Sequence, residues 1–136
     1  MIRPINKDCF ILMQKARPAT VMDIRIADDL NDTLLGNKER CAGMAANMIG
    51  EPVKIISFFN GDTLMEMFNP EIISKTGKYE KKEGCLSLTG ERPVTRYKEI
   101  KVSWQDRQFK KHTGSFRGFV SETIQHEIDH LNGILI

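Results

Sequence analysis

Two of the three histidines in this 136-residue chain fall in one five-residue stretch, His126-Glu127-Ile128-Asp129-His130. On a helix, residues four apart lie one above the other on the same face. His126 and His130 can thus aim two imidazoles at one point, which is the bite a divalent cation requires. Glu127 is one step round the helix, within reach of a water on that cation without being a ligand. Two ligands and a general base are the core of a metal-dependent hydrolase. The alternative is a helix carrying two histidines by chance, and a third ligand has to come from elsewhere.

The stretch Glu83-Gly84-Cys85-Leu86-Ser87 reads as a loop between strands. A thiolate from Cys85 would complete a Cys-His-His set and leave a fourth position for water, the open geometry of catalytic metal sites. A lone cysteine more often serves as a small buried hydrophobe. Gly84 beside it favours the ligand role, because glycine lets backbone approach a ligand or metal closely. Cys9 and Cys41 lack such a context and are assigned to packing.

Helices and strands must position these residues. Ile124, Ile128 and Leu131 form a buried stripe on the histidine helix, and the imidazoles point roughly away from it. Asn132-Gly133 predicts the helix end. A second helix is predicted over Thr20 to Gly36, opened by a capping box of Thr20 and Asp23, with Ile26, Leu30 and Leu34 facing the core. Val53 to Phe59 and Thr63 to Phe68 read as strands joined at Asn60-Gly61, the second stopping at Asn69-Pro70. Ile72-Ile73 leads to a turn at Gly77. Alternation at Ile100, Val102 and Trp104 predicts a half-buried strand. Lys110 to Gly114 reads as a turn before a strand from Ser115 to Phe119. With no repeat or linker, the expectation is a single α+β domain over 1–136, antiparallel sheets packed around the C-terminal HExxH helix with an N-terminal helix.

Composition excludes several classes. A net charge of +2 with scattered Lys and Arg argues against nucleic acid or a membrane surface. Lys75, Lys78, Lys81 and Lys82 read as a solvated edge rather than a binding patch. No apolar run spans a bilayer, and Met1-Ile2-Arg3-Pro4 begins no export leader. Three cysteines suggest no disulfide framework, so a reducing cytoplasm is the expected location.

Three segments together resemble a known family. Gly43-Met44-Ala45-Ala46-Asn47, Glu83-Gly84-Cys85-Leu86-Ser87 and Gln125-His126-Glu127-Ile128-Asp129-His130-Leu131 are similar, in order and separation, to the signature motifs of peptide deformylases. The second is the most diagnostic, since HExxH alone is shared by many metallopeptidases. The resemblance implies a bacterial enzyme that removes the formyl group from the N-terminal methionine of new polypeptides. It implies Cys85, His126 and His130 as metal ligands, with Fe(II) as the working metal and Zn, Ni or Co as replacements. Glu127 looks like the acid/base residue, and the backbone N–H of Leu86 like a donor to the oxyanion. The backbone around Gly43 and Met44 and the Glu83-Gly84 stretch look like rails for an extended formyl-methionyl peptide. The helical turn before His126 would wall the methionine pocket.

The chain departs from the family's first motif, G-x-G-x-A-A-x-Q, at two positions. Cys41 replaces a glycine, a modest packing change. Met48, expected among the substrate-contacting residues, replaces the glutamine whose amide donates to the oxyanion, and a thioether cannot donate. Losing one such donor typically costs ~10²–10³ in rate, or roughly 3–4 kcal/mol of barrier. The expectation is therefore a deformylase of reduced efficiency. The competing reading is a degenerate relative that binds metal and formyl-Met peptides without efficient turnover. A general endopeptidase is disfavoured by a cysteine ligand. The sequence ends at Ile136, where many members continue into a segment that in some docks the ribosome, so a ribosome contact is not among the expected partners.

Overall fold

The computed structural model describes residues 1–85 and 87–135, with Leu88 described by its backbone alone. A short helix α1 (Cys9–Leu12) precedes a 3₁₀ turn (Val21–Asp23) that runs into α2 (Ile24–Gly36). Strand β1 (Gly43–Ala45) is followed by a second 3₁₀ turn (Ala46–Ile49), then by β2 (Ile55–Asn60), β3 (Thr63–Cys85), β4 (Leu88–Gln105) and β5 (Lys111–Arg117). Helix α3 (Gly118–Leu131) follows directly. The strands form one antiparallel sheet in the order β1-β2-β3-β4-β5. The expected plurality of sheets is thus a single sheet.

Side-chain alternation along β2 and β3 splits the core into two layers. Ile55 and Phe68 join Leu30 and Leu34 of α2 and Met44 and Met48 on one side. Ile56, Phe58 and Met67 join Ile124 and Leu131 of α3, with Ile100 and Val102 of β4, on the other. Each helix therefore buries its apolar stripe against its own face of the sheet. Among the described residues no helix is long and apolar enough to cross a membrane.

Two predicted local signals have clear counterparts. The amide N–H of Thr20 donates to Asp23 at 2.8 Å, and both halves of the capping box are present. The end of α3 is a Schellman motif, with Gly133 N–H donating to His130 O and Ile134 N–H to Asp129 O, both at 3.0 Å. Gly133 needs its left-handed φ of 77° for this, and a Cβ there would lie 2.3 Å from the Met13 carbonyl oxygen.

Several predicted boundaries differ: β3 runs on through Gly77, where a turn was expected, and α3 begins at Gly118, inside the strand expected to reach Phe119. Strand β3 does not stop at Asn69-Pro70. The ladder shifts register there, and Asn69 takes a φ of 51° while its side chain bonds Ala19 N–H at 2.7 Å. A proline is tolerated at such a bulge, where a ladder donor is already missing. Lys111 to Gly114 belongs to β5, paired with β4, and the turn lies at Asp106–Lys110 instead. Glu83, Gly84 and Cys85 are the end of β3, opposite Arg92, Glu91 and Leu88 of β4, rather than a free loop.

Candidate metal centre

The last part of β3 faces α3. Tyr79, Lys81, Glu83 and Cys85 are half-buried, while Glu80, Lys82 and Gly84 between them are exposed, the period-two pattern of a strand. On α3, Glu122, His126 and His130 recur every fourth residue and so share a face. The strand row and the helix stripe meet rung by rung. Lys81 pairs with Glu122 at 2.8 Å, and Glu83 pairs with His126 at 2.8 Å. Cys85 closes the end of the row against both histidines.

At that end, one ligand atom each from Cys85, His126 and His130 lie within 4.8 Å of one another. The two Nε2 atoms are 3.0 Å apart. This donor set fits a divalent cation: one sulfur and two imidazole nitrogens converge on a point with room for a fourth ligand. The charges point the same way. Burial disfavours a charged His126, yet Cys85, Glu83 and Glu127 outweigh it and push its pKa well above the ordinary value. Burial, with His126 alongside, drives His130 the other way. The cluster thus favours positive charge at His126, where a bound cation would supply it in place of the proton.

A buried network orients the cluster. The Nδ1–H of His126 donates to Glu83, and the Arg96 guanidinium donates to the same carboxylate at 2.6 Å and to Asp129 at 2.7 Å. Arg96 is 2% exposed. Burial would raise the Glu83 pKa, but hydrogen bonds from His126 and Arg96 bring it to about 2. The Gln125 side chain accepts from the Tyr97 N–H at 2.9 Å and donates to its carbonyl at 2.8 Å, bolting α3 to β4. Arg96 and Asp129 escaped the sequence reading. Asp129 stood inside the motif, whereas nothing around Arg96 distinguished it from a surface charge.

Glu127 is buried, and its Oε1 has no hydrogen-bond partner among the described residues. Burial pushes its pKa up to about 7. Gly43 gives it space: a Cβ there would lie 3.3 Å from Glu127 Oε2 and 2.6 Å from Thr123 Cγ2. The Cys41 thiol, pushed up to about 12 by burial and the nearby Glu127, donates to the Gly43 carbonyl and stays protonated.

A cavity of about 480 Å³ opens over this cluster. Of the residues expected to touch substrate, Gly43, Met48, Glu83 and Gly84 line it. The Met44 side chain instead faces the α2 side of the core and is fully buried, leaving only its backbone for such a role. The Glu83 carboxylate is turned inward onto His126 and Arg96. Leu86, expected as a backbone donor, lies outside the described residues. Lys81, expected at a solvated edge, lines the cavity in an ion pair.

The chain is similar to known proteins over almost its whole length. The polypeptide deformylase family model matches residues 2–136. A peptide deformylase of Clostridium beijerinckii is 48% identical over 136 residues, covering all of both chains. One from Chlorobium luteolum is 35% identical, covering 99% of this chain and 76% of its own. The crystal structure of a Thermus thermophilus peptide deformylase superposes with a TM-score of 0.88 at 33% identity, over 99% of this chain and 84% of that one. A class I type b peptide deformylase of Acinetobacter baumannii, bound to Met-Ala-Ser, gives 0.88 at 28% identity, over 99% and 97%.

Proposed function

The chain belongs to the polypeptide deformylase family, and from that membership we propose that it hydrolyses the N-formyl group of N-terminal formyl-methionine on new bacterial polypeptides, releasing formate. The observation that carries this reading is the meeting of Cys85, His126 and His130 beside the unpartnered Glu127 carboxyl. A divalent cation held by those three ligands, Fe(II) foremost and Zn, Ni or Co in its stead, would supply Lewis acidity to the attacking water and the formyl oxygen.

The chain's own groups do the rest. Glu127 takes a proton from the attacking water at Oε1 and later delivers it to the leaving amine nitrogen. A carboxyl whose pKa burial holds at about 7 suits both halves of that exchange. Glu83 keeps the His126 proton on Nδ1 and leaves Nε2 for the cation. Among the described residues β3 pairs only with β4 over Glu71–Cys85, so its other edge can take an extended peptide by strand addition. The tripeptide Met-Ala-Ser on the Acinetobacter relative is the kind of product this reaction leaves.

Met48 favours slow turnover. Met48 lines the cavity and is 1% exposed, and its thioether cannot donate to a developing oxyanion. The backbone N–H of Leu86 is the donor proposed to remain. The second reading, a binder that barely turns over, rests on the same side chain.

The test is formate release from formyl-Met-Ala-Ser by anaerobically purified, Fe(II)-loaded protein. Glu127→Gln should lower the rate by about 10²–10⁴-fold while leaving bound metal unchanged. No release above background from the wild-type protein retires the hydrolase reading in favour of the binder.

A further inference from the structure

The rung beyond the metal cluster is an ion pair inside the cavity. Lys81 Nζ lies 2.8 Å from Glu122 Oε2 and 3.7 Å from Glu83 Oε2, with the Lys81 and Glu122 side chains 33% and 17% exposed. Lys81, Glu122, Thr123 and the exposed ring of Phe119 line the same cavity as Cys85 and Glu127. Glu122 is one helical turn before His126, about 6 Å along the axis. That is the span of an extended side chain as long as methionine's. A peptide whose first carbonyl group reacts at the cluster can therefore rest its first side chain against Lys81 and Glu122.

An apolar pocket strongly disfavours a polar side chain, because it strips water from a group it cannot bond. This wall differs. An ammonium has three donors, and the two carboxylates beside Lys81 occupy at most two of them. The lysine stem and the Phe119 ring still offer apolar surface to a thioether. Resting on the deformylase reading, we propose that Lys81, held by Glu122, makes this pocket accept a formylated peptide that begins with methionine sulfoxide, whose oxygen takes a hydrogen bond from Nζ. The sulfoxide keeps methionine's length and adds one acceptor, which matches a wall with one spare donor.

Binding of the tripeptides Met(O)-Ala-Ser and norleucine-Ala-Ser to Zn-loaded protein, by titration calorimetry, reads the pocket without turnover. Norleucine keeps the shape and lacks the oxygen. The wild-type protein should bind the two within about threefold. Lys81→Met, which removes the donor, should shift the ratio about tenfold toward norleucine, and Lys81→Arg, which keeps donors, should not. A ratio unmoved by Lys81→Met overturns the proposal. So does a wild-type preference for norleucine of tenfold or more, which decides the matter even if Lys81→Met fails to fold. Both peptides binding while no formylated peptide releases formate would sink the deformylase reading separately, with the binding ratio still judging the pocket.

Discussion

His126 donates its Nδ1–H to Glu83 across 2.8 Å, while Arg96 grips that same carboxylate at 2.6 Å. The contact joins the end of β3 to the middle of α3 and fixes which ring nitrogen faces Cys85 and His130. Glu83→Gln keeps the shape and deletes the charge. Metal affinity should fall about 10–100-fold, read by competition with a chromogenic chelator. Thermal unfolding should move down as well, because the buried Arg96 is left with Asp129 as its sole charged partner. Unchanged chelator competition would mean that the carboxylate does not orient the ligand.

Met48 sits in the 3₁₀ turn after β1, packed into the α2 side of the core yet bordering the cavity. Met48→Gln returns a donor to that border. If the missing amide limits the rate, kcat for formyl-Met-Ala-Ser should rise at least about tenfold with little change in KM, the signature of a bond made in the transition state. The same substitution puts an amide among apolar side chains and should cost about 1–3 kcal/mol of stability. Steady-state kinetics and urea unfolding separate the two effects. A fall in stability with no gain in kcat would make Met48 a packing residue alone.

The contrast between α3 and the β3–β4 ribbon explains what was legible in the sequence. Ile124, Ile128 and Leu131 announce the helix, and Asn132-Gly133 its end, because periodicity and capping are local properties of the chain. The hairpin at Asn60 was legible for the same reason, although its two-residue loop is Gly61-Asp62, one position later than expected. Strand β3 beyond Ile72 carries Lys and Glu on both faces and has little core beneath it, so no alternation of apolar residues marks it. Charged residues there resembled a solvated edge. Their partners, Glu122 for Lys81 and Asp129 for Arg96, lie 41 and 33 residues away along the chain. Only the antiparallel ladder and the docking of α3 bring them together.

Gly43 brings β1 close against α3. A Cβ at this position would lie 2.6 Å from Thr123 Cγ2, too near for that methyl to stay in place. Gly43→Ala should cost about 1–3 kcal/mol by overpacking and displace Glu127, lowering kcat. Thr123→Ser removes the offending methyl and keeps the hydroxyl that bonds the Phe119 carbonyl at 2.9 Å. The double variant should regain most of the lost stability, measured as coupling in a double-mutant cycle of urea midpoints. Additive losses would place the strain somewhere other than this contact.

Acid stability should depend on the start of α2. Asp23 is 4% exposed, accepts from the Thr20 N–H at 2.8 Å and is held by Arg17 at 2.7 and 2.9 Å. Arg17's hydrogen bonds lead in lowering its pKa from 3.8 to about 2, and burial opposes them only in part. A carboxyl with a depressed folded pKa contributes its full stability above the unfolded value and loses it as pH falls through the folded one. The window is therefore from about pH 4 down to about pH 2. Asp23→Asn should cost about 1 kcal/mol at neutral pH, a modest figure because Arg17 is more than half exposed. The wild-type and variant unfolding free energies should then converge as the pH drops across that window. A gap of constant size from pH 7 to pH 2 would show that Asp23 acts as an uncharged cap, with the Arg17 pair contributing nothing.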